Sequence, residues 1–152
     1  MRFRTDLKGL AICCLGLATL CLQIKSPKRL CNLQEIATQG SHIIVTVSGV
    51  YSTGPESSTL TDPACPVKAY GQTWVEFDLK SNENEQKLKE LLTRSQEVNL
   101  TAEGDFYGPP PPDPKLPSPM REKISQRWGH LGCCRTRFVV RKILDVRANS
   151  KS

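Results

Sequence analysis

The chain has 152 residues, with 21 lysines and arginines against 15 aspartates and glutamates, giving a formal net charge of +6 at neutral pH. Apolar residues make up 38% and charged residues 24%, a globular balance with room for one domain of roughly 100–130 residues. That composition excludes a second core, a coiled coil and a wholly disordered chain.

The N-terminus "MRFRTDLKGLAICCLGLATLCLQ" sets Arg2, Arg4 and Lys8 ahead of an apolar run from Gly9 to Leu22. This is the layout of a secretory leader, and the run falls short of the roughly 20 residues that a bilayer-spanning helix needs. Residues 1–22 are therefore expected to be a signal peptide or an N-terminal membrane anchor, with Cys21 in "LATLC" a loose match to a lipid-attachment site. Without residues 1–21 the count is 18 basic against 14 acidic residues, a net charge of +4. The two signs are interleaved along the chain, which describes a solvated surface and not a nucleic-acid stripe.

Residues 23–41 read as a short helical lead-in, with Leu30, Leu33 and Ile36 at helical spacing and Gly40 as a stop. From His42 the β-branched run "HIIVTVSGVYSTG" alternates, placing Ile43, Val45, Val47, Gly49 and Tyr51 on one face of a strand. A Gly54-Pro55-Glu56-Ser57 turn leads into a second strand that Pro63 ends. "QTWVEFDL" is a third strand, with Val75, Phe77 and Leu79 opposite Trp74, Glu76 and Asp78. Leu88, Leu91 and Leu92 then mark a helix of about three turns, opened by an Asn82/Glu85 cap.

"VNLTAEGDFYG" returns to period two, with Val98, Leu100, Ala102, Gly104 and Phe106 on its apolar face. A Pro-rich loop over 108–128 follows, with a helical turn expected near Met120–Gln126. The last strand, "RTRFVVRKILDVRA", places Phe138, Val140, Leu144 and Val146 on one side, and 149–152 is a frayed tail.

The order β-β-β-α-β-β predicts a mainly β fold, a five-stranded OB-like barrel over 42–148 with its helix between strands three and four. Gly49 and Gly104 fit this as places where long strands bend around a small barrel. The stretch from Cys31 to Arg147 also resembles, as a pattern, small uncharacterised exported bacterial domains of OB-like type. Leu33, Gly40, Val45, Val47, Gly49, Leu60 and Asp62 carry that resemblance, with "FYGPP" and "HLGCC" as later matches. The resemblance implies fold and an exported location, periplasmic, extracellular or membrane-tethered.

Export makes disulfides the first reading of the four cysteines beyond the leader: Cys31, Cys65, Cys133 and Cys134. In an OB barrel strands three and five run parallel, which favours a bond from Cys65 to Cys133 or Cys134, with Cys31 taking the remaining thiol. Such a bond would close about 70 residues and contribute roughly 4 kcal/mol; a bond between the adjacent Cys133 and Cys134 stays open. A zinc set of Cys65, His130, Cys133 and Cys134 is the alternative by ligand type, and a redox thiol at Cys133 or Cys134 beside His130 is another.

No catalytic motif stands out, so the expectation is a protein that is not an enzyme, with no cofactor implied. Binding is the more open class. OB barrels take ligands on strands two and three and the flanking loops, where this chain offers Lys68, Tyr70, Trp74 and Trp128. An envelope protein, a glycan or a small ligand is the expected partner, and the membrane is met only through the N-terminal segment. An oligonucleotide is an alternative that Glu76 and Asp78 disfavour, because they repel phosphate.

Overall fold

The computed structural model describes residues 26–66, 72–80, 83–111, 113–115, 117 and 127–150. The leader, Lys68, Tyr70, Asn82 and the expected turn near 120–126 lie outside them. The fold is mainly β, a five-stranded sheet with two helices. Helix α1 spans Leu30–Ile36, followed by strands β1 (His42–Gly54), β2 (Ser57–Thr61) and β3 (Thr73–Phe77). Helix α2 (Glu83–Leu92) separates β3 from β4 (Glu97–Tyr107), and β5 spans Thr136–Ala148.

The strands pair in the order β1-β2-β3-β5-β4, with β4 returning to β1, so the sheet closes on itself. Only β3 and β5 run parallel. No helix among the described residues is long and apolar enough to cross a membrane.

Alternation along each strand decides which side chains meet inside. Val45, Val47 and Tyr51 of β1, Val98, Leu100, Ala102 and Phe106 of β4, and Val75 of β3 are buried, as their spacing predicts. Each large apolar side chain so enclosed contributes about 1.5–3 kcal/mol of transfer free energy. Leu30 and Leu33 of α1 join the same core, as does Leu88 of α2. A buried polar relay ties α1 to the sheet: Gln34 Nε2 donates to Thr73 Oγ1 at 2.9 Å, and Thr73 Oγ1 lies 2.8 Å from Thr136 Oγ1.

Strand β5 departs from strict alternation. Its register against β4 shifts between Thr101 and Ala102 and again between Glu103 and Gly104. Phe138, Val140, Ile143 and Val146 therefore point inward, while Leu144 is exposed. The expected core position at Leu144 belongs to Ile143, because each irregularity adds one residue to β5 and moves later side chains to the other face. Gly104 sits at one of these shifts, where a Cβ would overlap the Val139 carbonyl.

Candidate functional site

The outer face of β3, β5, β4 and β1 carries one cross-strand row. Trp74 pairs in register with Arg137, Arg137 with Tyr107, and Tyr107 with His42. The His42 and Tyr107 rings stack at 4.6 Å. The Arg137 guanidinium lies 4.5 Å from the Tyr107 ring centre and 4.0 Å from that of Trp128, so the cation is flanked by two π systems. Its Nη1 is 3.5 Å from Glu76, while its buried Nε has no hydrogen-bond partner among the described residues.

The carboxylates of Glu76, Asp78 and Asp105 on this side are paired with cations or donors, not with one another. Asp105 is 8% exposed despite sitting on the polar side of β4. Its Oδ1 lies 2.7 Å from His42 Nε2, and its Oδ2 accepts from Arg141 Nε at 2.6 Å. Arg141 also pairs with Asp78, and Trp74 Nε1 donates to Glu76 at 3.2 Å.

Above Trp74 lies the turn formed by "RWGHLGCC". Trp128 and Cys134 form an antiparallel bridge, and Trp128 Nε1 donates to the Gly108 carbonyl at 2.8 Å, closing the base of the Pro-rich loop. Between them Gly129, Leu131 and Gly132 have φ of 80°, 53° and 66°. Gly129 rests against the Trp74 indole so closely that a Cβ would overlap the ring. His130 Nε2 reaches Glu56 of the β1–β2 turn at 3.2 Å, and Leu131 at the tip is 91% exposed.

The structure makes two disulfides, Cys31–Cys65 with Cα atoms 5.6 Å apart and Cys133–Cys134 with Cα atoms 3.8 Å apart. The favoured bond from Cys65 to Cys133 or Cys134 is thereby corrected. Thr73 opens β3 opposite Thr136, so Cys133 and Cys134 do stand at the start of the parallel pair. Cys65 lies eight residues before Thr73, in a turn where its N–H donates to the Asp62 carbonyl at 2.9 Å, and that turn sits beside α1. The proposed zinc donors are not brought together, since Cys65 is bonded to Cys31 and the other two thiols to each other.

Asp62 anchors the same turn. Burial alone would push its carboxyl up, but the hydrogen bond and charge of Arg29 and the backbone N–H groups of Ala64 and Leu30 outweigh this and hold its pKa below the usual value. The Arg29 Nε to Asp62 Oδ2 distance is 2.7 Å. Asp62 and the two bonded sulfurs of Cys31 and Cys65 also form a compact donor group, whose sulfurs are committed to each other.

Of the expected ligand-binding residues, Trp74 and Trp128 meet around the 128–134 turn, while Lys68 and Tyr70 fall outside the described residues. Sequence reasoning missed His42, Asp105, Tyr107, Arg137 and Arg141. For Asp105, Tyr107 and Arg137 the signal was present in the strand period, because each occupies an outward position next to an inward apolar one; the cross-strand register that assembles all five was not. No protein-family model matches the chain, and searches of curated proteins and of solved structures find no match either.

Proposed function

We propose that the protein is an exported, disulfide-stabilised, non-catalytic binding or structural module of a bacterial cell envelope, and that its closed sheet is an OB-like barrel. The observation that carries this reading is the meeting of three elements. The 128–134 turn, from the β4–β5 loop, packs on Trp74 of β3 and reaches Glu56 in the β1–β2 turn. Strands two and three with these two loops are where OB barrels hold ligands. The partner is an envelope protein, a glycan or a small ligand that contacts the aromatic rim at Trp74 and Trp128 and the apolar tip at Leu131.

The leader pattern and the two disulfides support export. Glu76, Asp78 and Asp105 are each held by a cation or an indole N–H, and the reading takes them as structural groups of this face. A titration of tryptophan fluorescence with envelope glycans and candidate protein partners is expected to give saturable quenching that Leu131→Ser weakens. Quenching by none of them, or quenching unchanged in the variant, argues against this site.

A further inference from the structure

Cys133 and Cys134 are neighbours in sequence, so their bond restrains almost none of the freedom of the unfolded chain, unlike Cys31–Cys65 with its separation of 34 residues. What it does hold is local. The turn it adjoins is spanned by the Trp128–Cys134 backbone bridge and has Gly132 N–H donating to Gly129 at 3.2 Å and Cys133 N–H donating to His130 at 3.3 Å. In the same turn Leu131 sits at φ 53°, a left-handed conformation that a bulky side chain disfavours. The two sulfurs differ in access: Cys134 is fully buried and Cys133 is exposed.

We propose that Cys133–Cys134 is a thiol–disulfide exchange site for a dithiol reductant, with Cys133 Sγ as the attacked atom. One thiolate of the dithiol bonds to Cys133 Sγ as the Cys133–Cys134 bond breaks, and the electron pair leaves on Cys134 Sγ, which takes a proton from solvent. The second thiolate of the dithiol then bonds to its partner sulfur, and Cys133 leaves as a thiolate that is protonated in turn. The dithiol departs as a disulfide, having given two electrons. The product is a Cys133–Cys134 dithiol at the end of the 129–133 turn that rests on Trp74. This site does not depend on the binding reading, since its substrate is the reductant and its readout is the thiol state.

The test equilibrates the purified, oxidised full chain in buffers of reduced and oxidised dithiothreitol, traps free thiols with N-ethylmaleimide and locates the labels by peptide mass. Labelling of Cys133 and Cys134 is expected at a dithiol-to-disulfide ratio about tenfold or more below that needed for Cys31 and Cys65. Simultaneous reduction of both bonds, or reduction of Cys31–Cys65 first, overturns the proposal. Brief exposure to glutathione is expected to leave a mixed disulfide on Cys133, and an adduct on Cys134 or on neither of the two contradicts the assigned atom.

Discussion

Cys31–Cys65 and Cys133–Cys134 are the same covalent bond in two settings. The first joins α1 to the turn after β2, across 34 residues of sequence, and brings Leu30 and Leu33 into the core alongside it. The second joins an exposed cysteine to a buried neighbour at the end of a turn that lies on Trp74. A crosslink stabilises a fold by the freedom it removes from the unfolded chain, so the first is a fold-wide restraint and the second a local one. The difference teaches that cysteine count alone does not separate a fold-wide framework from a local crosslink.

The contrast is sharpest in stability. Replacing Cys31 and Cys65 by serine is expected to cost about 4 kcal/mol, whereas the Cys133→Ser/Cys134→Ser pair costs under about 1 kcal/mol. Urea unfolding of the two oxidised variants measures both, and equal losses would break the distinction. Next in size is Gly129→Ala, which places a Cβ into the Trp74 ring and a side chain at φ 80°. It is expected to cost about 2 kcal/mol, with a red-shifted tryptophan emission as the turn lifts from the indole.

Arg137→Ala removes the cation between Tyr107 and Trp128, and a loss of about 1–2 kcal/mol is expected for this partly buried arrangement. Thermal unfolding with Arg137→Lys as a companion checks it, because lysine keeps the charge without the planar stacking surface. The smallest effect concerns Asp62, beside the fold-wide bond. Its pKa is lowered in the folded chain, so its contribution is present above the ordinary carboxylate value near pH 4 and is lost as pH falls through the folded value. Asp62→Asn is expected to make the acid-side loss of stability shallower, and an identical pH profile would remove Asp62 from the account.

Much of the fold was legible because period two survives wherever a strand is regular. β4 buries the alternating residues that its sequence announces, β1 does so at Val45, Val47 and Tyr51 but leaves Ile43 exposed at its start, and the apolar stripe of α2 stands where its leucines place it. Leu144 misled because two register shifts against β4 are backbone events with no residue type that marks them in β5. The cysteine pairing was harder still. It depended on how the segment after β2 turns back toward α1, and three-dimensional path is not written in spacing.

The site was half legible. Trp74, Trp128 and the motif around His130 stood out as chemistry, yet the row Trp74–Arg137–Tyr107–His42 exists only through the register of four strands. Asp105 looked like an ordinary outward acid in "EGDFY". It is buried because His42 and Arg141 close over it from the neighbouring strands.

The most direct measurement is a disulfide map of the non-reduced protein after digestion with trypsin and a glutamate-specific protease. Cleavage after Arg29, Glu35, Glu56 and Lys68 separates Cys31 from Cys65, while Cys133 and Cys134 remain together between Arg127 and Arg135. The account predicts a linked pair of peptides carrying Cys31 and Cys65, and a single peptide holding Cys133 and Cys134 that is lighter by two hydrogens. A peptide linking Cys65 to Cys133 or Cys134 would contradict it.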